Sequence, residues 1–436
     1  MKYNLLPFLT TIYLITICAC SGSGDKNREA HIIDVEAAVG TGAIHNASEY
    51  IKEFTYIPLE TVQNSLIGSH IRTVLVENGK IYIHSANLGE FAGRVTIFDM
   101  AGRYISTLDK KGRGPGEFGA YFVTWDLDIT PSGNILVMGR GDGIYEYTPD
   151  FKFIRDLRPK KDPSTGPLSG WAYDDLVILK EGLYALNAYD IDFKTLTETR
   201  VFVIYDNSQK THFFEASQRV LNDPERDRLY YDSGYIQYLQ DNKLSIYRPE
   251  TDSIFSIDFE KGYSKSLRYV FNSGKYALKV SLKDALSKEE YSKANSNSIL
   301  IKKIKESNSY IFIEFYFNDF APEPILVNPG TITRASGMIQ AVSSYMDTRV
   351  YGIYDKRENK FTLLNQPLSG TLGLKNDLDG GPPVFWPMYV TSKKEMVSYY
   401  TAMEMVDLIE QGKVDKELFG NITENDNPIL VIAKER

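Results

Sequence analysis

Hydrophobic residues of this chain come in short β-rich runs, and polar, Gly-containing turns separate the runs. The turn Asn78-Gly79 precedes Lys80-Ile81-Tyr82-Ile83, and similar pairs of turn and run begin at Ser132, Glu181 and Asn242. Short strands bounded by such turn residues are typical of antiparallel hairpins. Their regular return predicts an all-β fold, a β-propeller of four-stranded antiparallel blades.

The two ends of the repetitive region also have the pattern of strands. One contains Phe54-Thr55-Tyr56-Ile57, and the other contains Ile429-Leu430-Val431-Ile432. A ring closes most stably when strands from both ends share a blade, because closure hides exposed sheet edges. We therefore expect these two segments to pair.

Two stretches, residues 282–305 and 402–414, interrupt the β pattern. The run Ser287-Lys288-Glu289-Glu290 has the residues of a helix start. Both stretches are expected to be short helical insertions in the propeller.

The first residues have the pattern of a signal peptide. A short basic start precedes the apolar run 5–17, which is too short to span a bilayer as a stable helix. Ile17-Cys18-Ala19-Cys20 resembles a bacterial lipobox, so residues 1–19 are expected to be removed and Cys20 to carry a lipid. A plain secretory signal with two incidental cysteines is the alternative.

This interpretation divides the chain into a signal peptide, a lipidated tether and lead-in at 20–52, and a propeller at 53–436. It predicts a protein held to a membrane of the bacterial cell envelope by its N-terminal lipid, facing the periplasm or the cell surface. The chain contains only two Cys. Removal of Cys18 and acylation of Cys20 would leave the mature chain without an intramolecular disulfide.

Composition and charge narrow the functional classes. Hydrophobic residues make up 43% and charged residues 24%, which fits neither a disordered chain nor a polytopic membrane protein. The 30 Tyr and 22 Phe favour β-structure. A formal net charge of -8 argues against nucleic acid as a partner.

Four segments resemble the landmarks of a known family. They are Ile57-Pro58-Leu59-Glu60-Thr61, then Gly-Arg-Gly-Pro-Gly-Glu-Phe at 112–118, Asp-Leu-Asp-Gly-Gly-Pro-Pro at 377–383, and Asp-Asn-Pro-Ile-Leu at 426–430. In this order they are similar to the six-bladed β-propeller lipoproteins of Bacteroidota, relatives of NHL-repeat propellers. The resemblance covers nearly the whole mature chain. It implies six blades, where the spacing alone permits six or seven, and supplies no established catalytic residues.

The segment 112–119 is the most distinctive loop in the sequence. Its glycines and proline favour tight turns that present Arg113 and Glu117. One interpretation is that Arg113 contacts an anionic ligand at the mouth of the ring. The alternative is an Arg113–Glu117 ion pair that fixes the loop.

Asp377 and Asp379 stand before a Gly-Gly-Pro-Pro run. Alternate carboxylates in such a loop could supply oxygen ligands to Ca²⁺, although a turn capped by its own Asp side chains explains the same residues. The neighbouring Trp386 and Tyr389 could form an aromatic platform for a sugar or could belong to a buried blade. We expect the Arg113 and Asp379 loops to share one end of the ring, with Trp386 or Tyr389 near its rim.

Signatures of common enzymes are missing from the sequence. It has no Gly-x-Ser-x-Gly, phosphate-loop or His-Glu-x-x-His motif, and its five His are dispersed. This favours a binding module for a peptide, glycan or partner protein, without a cofactor. The alternative is a metal-assisted lyase or hydrolase that acts on a glycan, lactone or peptide in the channel with Asp377, Asp379 and a His.

Overall fold

The computed structural model describes residues 30–87, 93–112, 114–118, 124–139, 143–159, 172–192, 197–220, 236–248, 251–279, 293–327, 331–333, 339–341 and 344–436. The predicted lipidation site Cys20 and the loop residue Arg113 lie outside the described residues. Within these ranges, no helix is long and apolar enough to cross a membrane.

The chain begins with a lead-in and continues through three blades. The lead-in consists of β1 (His31–Asp34), α1 (Val35–Ala38) and β2 (Ile51–Pro58). Blade 1 consists of β3 (His70–Glu77), β4 (Lys80–Ala86), β5 (Arg94–Asp99) and β6 (Tyr104–Leu108). Blade 2 consists of β7 (Thr124–Ile129), β8 (Ile135–Gly139), β9 (Gly143–Tyr147) and β10 (Phe153–Asp156). Blade 3 consists of β11 (Ala172–Lys180), β12 (Leu183–Asp192), β13 (Thr197–Asp206) and β14 (Thr211–Val220).

Three further blades complete the ring. Blade 4 consists of β15 (Ile236–Gln240), β16 (Lys243–Arg248), β17 (Ser253–Asp258) and β18 (Ser264–Asn272). Blade 5 comes from β19 (Leu300–Glu306), β20 (Tyr310–Tyr316), the inserted β21 (Ile325–Val327), β22 (Thr331–Thr333), β23 (Ile339–Ala341) and β24 (Tyr345–Asp347), then β25 (Arg349–Asp355) and β26 (Lys360–Leu364). The last part contains β27 (Leu374–Lys375), β28 (Val384–Phe385), β29 (Tyr389–Val390), β30 (Met396–Tyr400), α2 (Ala402–Glu410) and β31 (Ile429–Glu435), with β29, β30, β31 and β2 forming blade 6. This arrangement is the predicted six-bladed β-propeller.

Local sequence explains the tight hairpins. Asn78 and Gly79 both have positive φ angles, 51° and 71°, and Asp241 and Asn242 repeat this backbone at 51° and 54°. Two-residue turns of this kind match the right-handed twist of the strands that they join. The apolar runs on either side then pair as β3 with β4 and as β15 with β16.

Ring closure by the two ends is confirmed. β2 pairs antiparallel with β31, with Phe54 opposite Ala433 and Ile57 opposite Leu430. The lead-in also reaches further around the ring than a single strand does, because β1 adds to β18 in parallel and Ala43 bridges to the last strand of blade 5. The segment 31–58 therefore covers outer edges of three neighbouring blades, which edge strands otherwise expose to other chains.

Apolar side chains fill the spaces between blades, one cluster for each neighbouring pair. Between blades 2 and 3, for example, Leu136 and Ile144 pack with Tyr173 and Leu186. A blade strand is thus buried on both sides, which explains why the runs are nearly continuously apolar rather than alternating.

One of the two predicted helical insertions is confirmed and the other is partly wrong. Thr401 caps α2, where its side chain accepts a hydrogen bond from the Glu404 N–H. The stretch 282–305 instead ends in β19, the first strand of blade 5. Ile301 and Ile304 are buried against β20, so packing on a neighbouring strand outweighs the helix-like charge pattern. The expected helix start at Ser287 lies outside the described residues.

The strand order gives the ring two different ends. The turn end carries the connections from first to second and from third to fourth strands, such as 78–79 and 181–182. The loop end carries the remaining connections, and these include the long segments 317–348, 365–388 and 401–428. Most of the variable chain is therefore displayed at the loop end.

Candidate functional site on the propeller axis

The first strands of the blades surround the axis. β3, β7, β11, β15, β19 and β29 are each first in their blade, and successive members from β3 to β29 contact one another. In the described sheets, each is the terminal strand of its blade and has one backbone edge without a ladder partner. Side chains on the axis must therefore satisfy these edges or leave them to water.

Two carboxylates from blade 2 bridge to the edge of blade 3. Asp126 Oδ2 accepts the backbone N–H of Leu176 at 3.4 Å, and Asp128 Oδ2 accepts that of Ile178 at 3.0 Å. Burial raises the pKa of Asp126 to about 6. Burial, with smaller contributions from Asp126 and Glu77, raises the pKa of Asp128 to about 7. Both side chains are half-buried, so they border space that solvent reaches.

Lys305 of β19 brings a positive charge to the same region. Burial and the neighbouring Lys303 lower its pKa, while Glu314, Asp175 and Asp126 oppose that shift. The contacts of the described residues include no hydrogen bond or ion pair of the Lys305 ammonium, whereas Lys303 lies 3.7 Å from Glu314. Lys305 thus faces carboxylates from blades 2 and 3 without a close partner.

Blades 6 and 1 meet through a third carboxylate. Glu77 Oε1 accepts the Tyr389 hydroxyl at 2.7 Å and the Ser392 N–H at 2.9 Å, and Glu77 Oε2 accepts the Ser392 hydroxyl at 2.5 Å. Burial and the nearby carboxylates of Glu77 and Asp128 raise the pKa of Tyr389 well above its ordinary value. Tyr389 therefore acts as a neutral donor that joins the last blade to the first.

A lysine from blade 6 narrows the turn end of the channel. Lys394 Nζ donates to Gln240 Oε1 of blade 4 at 2.6 Å and approaches the Leu239 carbonyl at 3.5 Å. Because blade 5 lies between these two blades, the side chain passes in front of its first strand. We call the region of the axis that these charged side chains border the axial funnel. Its charged and polar boundary includes Asp126, Asp128, Asp175, Lys305, Tyr389 and Lys394.

Glu117 lies away from this funnel. Its carboxylate accepts the Gly114 N–H at 2.7 Å, and the carbonyl of Gly116 accepts the Tyr147 hydroxyl at 2.6 Å. Gly116 also approaches Phe153 of β10, the last strand of blade 2. Glu117 thus orders its loop against the outer part of blade 2. The Arg113–Glu117 ion pair stays a prediction, because Arg113 lies outside the described residues.

Asp377 and Asp379 lie beside the outermost strand of blade 6. Asp377 accepts the N–H and hydroxyl of Ser48 at 2.9 and 2.6 Å. Asp379 Oδ1 accepts the Tyr56 hydroxyl and the Gly381 N–H, both at 2.9 Å. Asp379 thus caps its own turn through the Gly381 N–H, as the turn-capping alternative expects, whereas Asp377 contacts Ser48 of the lead-in. Across the described ranges, no group of three or more His, Cys, Asp or Glu side chains could hold a metal ion.

The strand order places both candidate loops at the loop end, but their described side chains do not meet. Glu117 contacts its own loop at blade 2, and Asp379 contacts β2 in blade 6. Trp386 is buried, stacks on Tyr351 at 4.2 Å and donates to Glu314 at 3.3 Å. Among the predicted site residues that the structure describes, Tyr389 borders the funnel. A ligand site shared by the two loops stays a prediction.

The sequence contained a signal for the funnel that its analysis missed. In Asp126-Leu127-Asp128-Ile129, acids alternate with apolar residues, which places both carboxylates on one side of a strand. Burying two carboxylates between blades would be unfavourable, so this pattern indicates a strand that lies on the axis. Lys305 was missed because its segment was interpreted as helix.

Six four-stranded blades, closed by a strand from the N-terminal part of the chain, define a six-bladed β-propeller with a charged axial funnel. Over residues 30–434 the sequence matches the family described as "Domain of unknown function (DUF4934)", and the chain belongs to this family.

Several solved structures are similar to this chain. A member of the DUF4221 family from Bacteroides vulgatus has 12% identity and a TM-score of 0.46, covering 88% of this chain and 97% of that one. Virginiamycin B lyase from Staphylococcus aureus has 11% identity and a TM-score of 0.31, covering 74% and 94%. PorZ of Porphyromonas gingivalis, a surface component of the type-IX secretion system, has 13% identity and a TM-score of 0.27, covering 70% and 60%. No curated protein matches.

Proposed function

We propose that the protein is an envelope-anchored binding module that admits a polar ligand to its axial funnel from the loop end. The observation that carries this proposal is the set of half-buried charged side chains that five blades direct to one axis. Blades 1 to 3 contribute Glu77, Asp126, Asp128 and Asp175, and blades 5 and 6 contribute Lys305 and Lys394.

Charges in such a position are unfavourable for folding alone. Removing a carboxylate or an ammonium from water is costly unless partners replace the water, and Lys305 lacks a close partner among the described contacts. Apolar residues, as in the six clusters between blades, would stabilise the axis better. A concave site with a few convergent polar groups and shifted pKa values is where ligand binding is expected.

The lead-in supports an orientation for the anchored protein. β18 runs from the turn end towards the loop end, and β1 is parallel to it. The chain before His31 therefore approaches blade 4 from the turn-end side. A lipid on Cys20, as the resemblance to Bacteroidota lipoproteins suggests, would hold that side within about 35 Å of the membrane, the reach of the residues between. The funnel mouth would face away from it.

Two measurements test the anchor and the orientation. Mass spectrometry of membrane-extracted protein should find an acylated cysteine as its first residue, at position 20. In proteoliposomes, a fluorophore on Lys261→Cys at the turn end of blade 4 should be quenched more strongly by a lipid-borne quencher than one on Thr251→Cys at its loop end. A mature protein whose first residue carries no lipid would refute the anchor. Equal quenching at the two positions would refute the orientation.

Native mass spectrometry tests the binding function. Wild-type protein extracted from membranes should carry a small ligand that Lys305→Met has lost. Lys152→Met is the matched control, because Lys152 is exposed on an outer turn of blade 2 and paired only with Asp150. Equal ligand occupancy in wild type and both variants would place the binding site elsewhere.

A further inference from the structure

The charges of the axial funnel are divided by sign across the axis. Blades 1 to 3 supply the carboxylates of Glu77, Asp126, Asp128 and Asp175, and blades 5 and 6 supply the ammonium groups of Lys305 and Lys394. Blade 5 also carries Glu314 near Lys305, but this carboxylate accepts a hydrogen bond from Trp386 at 3.3 Å and lies 3.7 Å from Lys303. Lys305 interacts electrostatically with Glu314, Asp175 and Asp126 but forms no close pair with any of them in the described contacts. The two signs therefore face each other across a space rather than neutralising one another directly.

Most of these charges already have close partners. Glu77 is held by Tyr389 and Ser392, Lys394 by Gln240, and Lys303 lies near Glu314. Asp126 is held less tightly, because its contact across to blade 3 is a long 3.4 Å. Among the described contacts, its other oxygen accepts only the adjacent Leu127 N–H, at 2.8 Å.

We infer that the funnel binds a small zwitterion, an amino acid or short peptide whose ammonium lies between Asp126 and Asp128 and whose carboxylate meets Lys305. The inference rests on the binding function proposed above and specifies its ligand. A simple anion would face the carboxylates of three blades, and a simple cation would face Lys305. A neutral sugar would leave the Lys305 ammonium without a counterion in a partly buried site, where electrostatic interactions are stronger than in water. A zwitterion satisfies both sides at once.

Isothermal titration calorimetry on the mature full chain, purified in detergent, tests this inference. The probes are pools of the common α-amino acids, pools of di- and tripeptides, and glucose and lactose as neutral polar controls. A zwitterion from one pool should bind, and the pool that contains it distinguishes free amino acids from peptides. Its amide, which lacks the carboxylate, and its N-acetyl form, which lacks the ammonium, should each bind at least about tenfold more weakly.

Variants then assign each end of the ligand. Lys305→Met should weaken the zwitterion at least about tenfold while changing the affinity of its amide less than about twofold, because the amide no longer contacts that lysine. Asp126→Asn should show the converse pattern with the N-acetyl form. Lys152→Met should change neither affinity. A residue needed only for folding would weaken every probe equally.

Three outcomes would overturn the inference. They are no binding from any zwitterion pool, an amide that binds as tightly as its parent, and a Lys305→Met effect that is equal for both. Binding of a neutral sugar that Lys305→Met abolishes would refute the zwitterion but preserve the binding function. Protein that carries no ligand from the membrane and binds none of the probes would refute both.

Discussion

Buried carboxylates near the axis differ in the direction in which their pKa values are shifted. Glu306, in the space between blades 4 and 5, has a fully buried side chain, yet its pKa is lowered. Burial raises the pKa of Asp126 and Asp128 instead. The difference lies in the partners and not in the depth of burial.

Glu306 is surrounded by cationic and neutral donors. Arg268 donates two hydrogen bonds to its two oxygens at 3.0 and 2.7 Å, Lys356 lies at 3.1 Å, and the Tyr238 hydroxyl donates at 2.8 Å. Burial alone would raise the pKa of Glu306, but Arg268 and Lys356 outweigh it. Asp126 and Asp128 have backbone N–H groups as their close partners and no cation within ion-pair distance in the described contacts. The ion pairs of Glu306 stabilise the fold, whereas Asp126 and Asp128 are still able to bind a cationic group of a ligand.

The largest expected change in the free energy of unfolding comes from replacing Glu306. Glu306→Gln should lower the free energy of unfolding by about 3 to 5 kcal/mol, because Arg268 and Lys356 would keep their charges without the buried counterion. Urea titration measures it. Glu53→Gln is the control, since its pair with Lys434 is half-exposed and screened by solvent, so its loss should change the free energy of unfolding far less. Equal losses in the two variants would show that the buried ion pairs of Glu306 are no more stabilising than the exposed pair of Glu53.

A smaller effect concerns pH. The pKa of an Asp carboxyl in the unfolded chain is about 3.9, below the values of Asp126 and Asp128 in the folded chain. At these two residues the folded state therefore binds more protons than the unfolded state between about pH 4 and 7. These two groups therefore stabilise the fold at low pH, and their contribution is lost as pH rises through about 6 and about 7. The titratable groups that face them are Glu77, Asp175, Lys305 and Tyr389.

The double variant Asp126→Asn/Asp128→Asn isolates this contribution. From pH 5 to pH 8, its free energy of unfolding should gain on the order of 2 to 4 kcal/mol relative to wild type. Asp150→Asn is the control, because its partner Lys152 holds the Asp150 pKa at about 2 and the group stays ionised throughout. If urea titrations of wild type and double variant run parallel across this range, the two carboxyls are not buried as described.

Sequence predicted the parts of this molecule that local chemistry determines. Asn78-Gly79 specifies its turn, and the apolar ends of the chain specify closure because both need a partner. The funnel depends on which strand of each blade lies innermost, and no single segment encodes that. The unusual composition of the Gly-rich loops of Glu117 and Asp379 suggested binding sites, yet the described contacts of these two side chains are those of ordered turns. The role of Asp126 depends on the position of β7 on the axis, which the local sequence does not specify.

Lys394 offers a test of how the funnel is narrowed at its turn end. Lys394→Met should lower the free energy of unfolding by about 1.5 to 3 kcal/mol, the range for a hydrogen bond to a charged group. Its neighbour Lys393 is exposed in the same turn, so Lys393→Met should be near neutral. A comparable loss in both would show that the turn itself, and not the contact with Gln240, is responsible.

Asp379 should give the smallest effect, because it is a carboxylate satisfied by neutral donors at the outer strand of blade 6. In Asp379→Asn the side-chain oxygen can still accept from Tyr56 and the Gly381 N–H, so the free energy of unfolding should fall by less than about 1 kcal/mol. The calcium alternative makes a different prediction, since bound Ca²⁺ would raise the melting temperature of wild type and not of this variant. Melting curves with CaCl2 and with EDTA distinguish the two, and we expect them to superimpose for both proteins. A calcium-dependent rise that Asp379→Asn abolishes would make this loop a second ligand site.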